Sequence, residues 1–347
     1  MLQTSMLQIK SDFSLRKLNT FQIDVQAACF CEVTSVDELK EALDYQKTQD
    51  LPLLILGSGS NILFTKDFNG LVVKINLKGT KKVKNDATHI YIRVGAGEIW
   101  HDFVKFCIAN NYAGVENLSL IYGTVGAAPM QNIGAYGVEI KDIFEDLEAL
   151  NIETGEIRTF NNEECKFGYR ESIFKNELKG KYIITSVTFR LGNKTKKPKL
   201  SIAYGDIQKT LLEMRIPAPT IADVSAAVVT IRTSKLPIPA QIGNAGSFFK
   251  NPTIKKKVFE KLKKKFENMP SFPVDDDNVK IPAGWLIEQC ELKGLRVGEA
   301  GVHAKQALVL VNYGKAKGQE IKDLADKVQE TVKEKFGITL SMEVNLM

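Results

Sequence analysis

Between Gly123 and Gly137 the chain places four glycines and three alanines in Gly123-Thr124-Val125-Gly126-Ala127-Ala128-Pro129-Met130-Gln131-Asn132-Ile133-Gly134-Ala135-Tyr136-Gly137. Residues this small keep a surface clear of side chains, as a flat, buried ligand requires; a connecting loop could do with fewer. A second glycine loop, Gly57-Ser58-Gly59-Ser60-Asn61, follows directly on the apolar run 51–56. Two glycines let the backbone turn sharply there, and successive N–H groups can converge on phosphate oxygens. No Lys-Ser/Thr follows, so it is not a P-loop, and the third glycine of a dinucleotide fingerprint is missing. Alone it reads as a tight turn; beside the longer block, it reads as part of a binding surface.

The periodicity sets these loops in an α/β frame. Strands are expected at 28–33, 51–56, 71–77, 91–94, 144–152 and 182–191. Ser35-Val36-Asp37-Glu38 has the form of a capping box, opening a helix with Val36, Leu39 and Leu43 on one face. Trp100, Phe103, Val104, Cys107 and Ile108 define the inner face of a second helix, and Val224, Ala227, Val228 and Ile231 that of a third. Near the end, Ile321, Leu324, Ala325, Val328, Val332 and Phe336 predict a long amphipathic helix stopped by Gly337. Residues 338–346 then alternate as a strand, with Ile338, Leu340, Met342, Val344 and Leu346 on the apolar face. The Lys-rich segment 192–199 reads as a surface loop.

At 347 residues, more than one domain is expected. Five cysteines without a CxxC pair and three scattered histidines form neither a disulfide framework nor a zinc site, so no metal is expected. No apolar run reaches the length of a membrane span, and no basic segment precedes an apolar one at the start; the expected compartment is the cytoplasm. The net charge is +6, but the densest basic run, from Lys255 to Phe266, sets Val258, Phe259, Leu262 and Phe266 on one helical face. Its lysines are therefore the solvated face of a helix, and a nucleic-acid partner is not expected.

Five sequence blocks occur in order: the Gly-Ser-Asn loop, the 123–137 block, Gly168-Tyr169-Arg170-Glu171-Ser172, Gly246-Ser247-Phe248-Phe249-Lys250-Asn251-Pro252, and a terminal Glu343. Together they resemble the UDP-N-acetylenolpyruvoylglucosamine reductase (MurB) family over nearly the whole chain. Ala203-Tyr204-Gly205-Asp206 resembles the tyrosine loop of its longer type. The resemblance implies an α+β protein: an FAD-binding fold of the vanillyl-alcohol-oxidase type in two α/β subdomains, plus a C-terminal α/β substrate-binding domain. The implied boundaries are 1–78 and 79–219 for the FAD-binding subdomains, the second joined by the last strand 337–347, and 220–336 for the substrate domain.

The implied reaction is NADPH-dependent reduction of UDP-N-acetylglucosamine enolpyruvate to UDP-N-acetylmuramate by a monomeric enzyme with bound FAD. Hydride added at C3 of the enolpyruvyl ether leaves negative charge on C2 and the adjoining carboxylate, so the site needs a cation or donor there and an acid beside C2. By resemblance Arg170 grips the carboxylate, Glu343 shares in stabilising the enolic intermediate, and Ser247 gives C2 its proton. Gly57, Ser58, Gly59, Ser60, Asn61, Gly123, Thr124, Gly126, Ala127, Gln131, Asn132 and Gly134 are implied to hold FAD. Tyr204, Lys235, Asn251 and Gln306 are implied to meet the substrate. From the residues alone, Arg170 reads first as a surface arginine paired with Glu171 or Glu164. Two positions depart from the family pattern. Tyr122 stands where proline is usual, and Ser58 where glycine is commoner, tolerable only if residue 58 does not need positive φ. A flavin oxidase of the same fold acting on another sugar or alcohol is the rival reading.

Overall fold

A computed structural model describes residues 7–193 and 198–347, so part of the expected 192–199 loop lies outside the described residues. The chain forms two compact units. One comprises the residues up to Phe13, Ala27–Ser58 and Phe68–Ser234; the other comprises Ser14–Gln26, Gly59–Asp67 and Lys235–Met347.

Among its described residues the first unit holds two larger sheets and a short ribbon, Gly134–Ala135 against Val138–Glu139. One larger sheet is ordered Lys10–Ser14, Gln26–Val33, Phe68–Ile75, Leu53–Leu56, and the last three strands run parallel. Parallel strands need a crossover, supplied by the helix Val36–Thr48. Ser35 Oγ caps it by accepting from Glu38 N, while the Glu38 carboxylate reaches back to Thr34 N. Leu39, Ala42 and Leu43 then pack on Cys31, Val33, Leu71 and Val73.

The other sheet is antiparallel, ordered Ile157–Asn161, Phe144–Asn151, Tyr182–Gly192, His89–Gly95, Thr80–Asn85. The helix Trp100–Ala109 buries Trp100, Phe103, Val104 and Cys107 in a core with Phe189 and Val187, the face its 3.6-residue spacing predicts. Both edge strands lack an expected counterpart. Thr80–Asn85 is exposed throughout, so no apolar alternation announces it, and its lysines suit an unpaired edge. Helices Ile207–Glu213 and Ile221–Lys235 share a small core of Ile207, Leu211, Val224, Ala227, Val228 and Ile231.

In the second unit the strands Gly243–Ser247, Val309–Asn312, Ala300–Val302 and Arg296–Val297 form an antiparallel sheet. The helix Gly318–Phe336 buries the six expected residues and ends on Gly337 at φ +67°. Two sequence expectations need correction. The last segment is regular strand only at Asn345–Leu346, which pairs parallel with Ile62–Leu63; Leu346 is exposed while Ile338, Leu340 and Val344 are buried. A single short partner strand cannot shield both ends of the alternating run. In the helix Lys256–Lys263, Val258 is also exposed, because the helix is anchored beyond its end, by Phe266 against Trp285 and Phe336.

The packing units also cut the chain differently from the expected regions. Residues 337–347 pair with Ile62–Leu63 and bridge Phe249 through Met342, and residues 221–234 pack with the first unit.

Candidate functional site

In the first unit Gly57, at the start of one glycine loop, meets Thr124 of the other. A Cβ added at Gly57 would lie 2.7 Å from Thr124 Oγ1, so the backbones approach as closely as glycine allows. The longer loop is fastened from behind: Trp100 N donates to Gly123 O (3.1 Å), Val125 N to Glu98 O (2.8 Å) and Gly126 N to Ala96 O (2.9 Å). A Cβ at Gly126 would fall 2.5 Å from that of Ala96. Ala127 stays exposed beyond this attachment, and Gln131 ends the turn Pro129–Gln131.

Ser58 does not adopt positive φ, so serine fits where glycine is commoner; Gly59 does, at +64°. The Ser58 hydroxyl is buried and has no hydrogen-bond partner. Leaving a buried hydroxyl unsatisfied costs about 1–3 kcal/mol, a cost that a ligand oxygen would remove. An orphaned donor at a cradle that excludes Cβ atoms fits a phosphate-bearing cofactor.

Asn132 is fully buried at φ +44°, and its amide is engaged within the protein: Nδ2 donates to Gly168 O (2.9 Å) and Glu139 Oε2 (3.1 Å), while Oδ1 accepts from Lys141 N (3.1 Å). Its side chain therefore ties the small-residue block to the turn that carries Arg170. In that turn Gly168 and Glu171 exchange backbone hydrogen bonds, and Arg170 sits at φ +55°. Such strain is kept where surrounding contacts over-determine it. Arg170 Nη2 donates to Gly134 O at 2.9 Å. Glu164, one alternative partner, bonds Arg158 instead at 2.7 Å.

Arg232, on the helix Ile221–Lys235, is a site residue the sequence did not announce. Burial pushes its guanidinium below the ordinary value; Tyr136, to which it is hydrogen-bonded, and Tyr122 oppose that, while Arg170 adds to it. Two guanidinium groups thus share a neighbourhood lined by the 123–137 block, which favours an anion. The signal was its place beside Val228 and Ile231 at the rim of the apolar stripe. Tyr204 stands half exposed next to this corner: a Cβ at Gly137 would lie 3.3 Å from that of Tyr204, and Asn117 Nδ2 joins Tyr136 O to Ser201 O.

The second unit gathers another group. A register irregularity follows Asn244, and Ser247 pairs with Val309 just after Gly246 at φ +68°. Bulges of this kind re-aim the next side chain. Phe248 O accepts from Glu343 N (2.8 Å), and Glu343 O accepts from Asn61 Nδ2 (3.2 Å). Ser247, Glu343 and the Ser60-Asn61 end of the first glycine loop are therefore neighbours along the backbone ladder. Asn251 Oδ1 accepts from Ala283 N (2.9 Å), and a Cβ at the adjacent Gly284 would lie 3.3 Å from Gln306 Oε1, so both amides lie against the start of the same helix. Lys235 is exposed where its helix ends. Among the described residues no group of three or more His, Cys, Asp or Glu side chains is placed to hold a metal, and no helix is long and apolar enough to cross a membrane.

Comparison with known proteins places these features in a lineage. Residues 27–161 match a family model described as an FAD binding domain. Residues 238–347 match the C-terminal domain of UDP-N-acetylenolpyruvoylglucosamine reductase. A protein of that name from Flavobacterium johnsoniae is 53% identical over 341 residues, covering 98% of this chain and 100% of the relative. The solved structure of the Thermus caldophilus reductase aligns with a TM-score of 0.65 over 98% of both chains at 24% identity. That of 6-hydroxy-D-nicotine oxidase from Arthrobacter nicotinovorans aligns at 0.51 over 98% of this chain and 88% of its own, at 13% identity. The last two likenesses speak to the fold alone, an α+β architecture with an FAD-binding fold of the vanillyl-alcohol-oxidase type.

Proposed function

Since the chain belongs to the UDP-N-acetylenolpyruvoylglucosamine reductase family, we propose that it reduces UDP-N-acetylglucosamine enolpyruvate to UDP-N-acetylmuramate with NADPH, acting as a cytoplasmic monomer. It is a flavin-dependent oxidoreductase of peptidoglycan precursor synthesis. In functional terms, residues 1–78 and 79–219 serve the cofactor, the latter with 337–347, and 220–336 serve the substrate. The observation that carries this reading is the Arg170 turn, locked by Asn132 and Gly134.

FAD, when bound, takes up reducing equivalents from NADPH and supplies hydride to C3 of the enolpyruvyl group. Gly57, Ser58, Gly59, Ser60 and Asn61, with Gly123, Thr124, Gly126, Ala127, Gln131 and Gly134, hold it through backbone and small polar groups. Asn132 acts by shaping the block, because its amide is already engaged. Arg170 meets the substrate carboxylate, where a guanidinium can form two parallel charge-assisted bonds. Glu343 stabilises the charge that spreads to that carboxylate, and Ser247 gives C2 its proton. Tyr204 and Lys235 contact the diphosphate, and Asn251 and Gln306 make amide contacts with the rest of the nucleotide sugar.

The decisive assay follows NADPH oxidation with and without the enolpyruvyl substrate, alongside oxygen uptake. Consumption that requires the substrate supports the reading; oxygen-coupled turnover of a different sugar or alcohol, with none of this substrate, replaces it by the oxidase alternative. Ser58→Ala should weaken FAD binding about tenfold, as expected for one lost hydrogen bond from a buried donor. Flavin fluorescence quenching measures this directly, and an unchanged Kd removes Ser58 from the cofactor contacts.

A further inference from the structure

We propose that His101 and Arg232 form a two-sided latch on Leu120 that sets the approach of loop 123–128, making His101 a pH-sensitive positioning residue for the cofactor. This rests on the flavin reading of that loop.

Leu120 sits at φ +57°. A branched apolar residue is strained there, since its Cβ crowds its own carbonyl oxygen. Its two backbone polar groups are held from opposite sides. Leu120 N donates to His101 Nδ1 at 3.0 Å, and Leu120 O accepts from Arg232 Nε at 3.2 Å. The His101 bond is one rung of a short ladder: Trp100 Nε1 donates to Leu118 O (2.9 Å), and backbone bonds join Trp100 to Gly123, Glu98 to Val125 and Ala96 to Gly126. These other rungs use peptide or indole groups, which do not titrate near neutrality. His101 alone adds a switchable rung to the ladder that carries the loop.

Nδ1 can accept from Leu120 only while the ring is neutral with its proton on Nε2; a proton on Nδ1 sets donor against donor. The charged groups facing the ring are Asp102 and Lys105 on its own helix and Arg232 from the helix Ile221–Lys235. Asp102 is itself paired with Lys105 at 2.7 Å. Burial and Lys105 hold the imidazole below its ordinary value, Asp102 opposes them, and Arg232 lowers it further. The sign follows. With the folded value depressed, the unfolded chain binds the proton first, so the stabilisation is complete above an ordinary pKa of about 6.5 and is lost as pH falls towards and through the folded value.

Flavin affinity of the full-length protein, measured from about pH 5 to about pH 8 by fluorescence quenching, tests the latch. The wild-type protein should lose roughly tenfold on acidification, and His101→Ala should be about tenfold weaker throughout. His101→Asn, whose Oδ1 can take the place of Nδ1 but cannot be protonated, should keep the neutral-pH affinity and lose the acid limb. Adding Leu120→Gly to His101→Ala should restore affinity, because glycine holds positive φ without steric cost. A second readout, the Leu120 amide resonance of 15N-leucine-labelled protein, should titrate with the His101 ring whether or not flavin is bound. An acid limb that persists in His101→Asn, or a Leu120 resonance indifferent to His101, overturns the latch. Wild-type protein that binds no flavin at any pH, while Leu120 still titrates, refutes the flavin reading and supports the latch itself.

Discussion

Ser247→Ala is expected to yield a yellow protein that NADPH still reduces but that the enolpyruvyl substrate no longer reoxidises, with turnover lower by roughly 10²–10⁴. The substitution removes one oxygen and leaves the backbone alone: Ser247 keeps its register with Val309, and the turn before it is held by Gly246 N donating to Asn244 Oδ1 at 3.0 Å. The flavin half of the reaction needs no proton at C2, so it should proceed at its normal rate. The substrate half needs one at the moment charge develops there, and a hydroxyl donates downhill to such a centre if it is reprotonated afterwards. Stopped-flow absorbance separates the halves. Normal reoxidation by substrate in the variant would assign the proton to another donor.

Gly59→Ala is expected to cost roughly 2–5 kcal/mol of stability and to abolish retention of FAD through purification. Two effects add. Residue 59 sits at φ +64°, which an alanine adopts at a penalty of about 1–2 kcal/mol. Its new Cβ would also stand 2.0 Å from Leu18 O, and that neighbour is backbone, which cannot swing aside as a side chain would. Nor can the segment easily slide. The Gly59 carbonyl accepts from Thr20 N at 3.0 Å, and Asn19 braces the same stretch by donating to Leu15 O and Ile23 O. Chemical denaturation reports the stability and bound-flavin absorbance the retention. Ser58→Ala is the control for stability alone, since its backbone needs no positive φ; its flavin affinity is expected to fall only about tenfold. If Gly59→Ala matches the wild type in both measurements, neither positive φ nor the approach to Leu18 demands glycine at residue 59.

Much of this was readable from the chain. The inner faces of Val36–Thr48, Trp100–Ala109, Ile221–Lys235 and Gly318–Phe336 followed from spacing, because a helix that packs on one side must repeat apolar residues every three or four positions. The two glycine loops were visible as loops. The order of the five blocks carried the family, which the 53% identical relative bears out. Thr80–Asn85 was not visible, since an exposed edge strand has no buried face to mark it. Arg232 was hidden for a related reason: a cation at the rim of an apolar stripe looks like solvated surface until Leu120, more than a hundred residues earlier, is found against it.

Local pattern therefore settled the helices, the places where the backbone must turn, and the lineage, because each depends on residues close together in the chain or on their order along it. Three-dimensional packing settled the rest. It made Asn132 a brace rather than an open donor, left the Ser58 hydroxyl without a partner, and held the Arg170 guanidinium against the Gly134 carbonyl. Such features depend on which segments meet, and hydrogen bonds and charge between groups distant in sequence come into being only once the chain has closed around them.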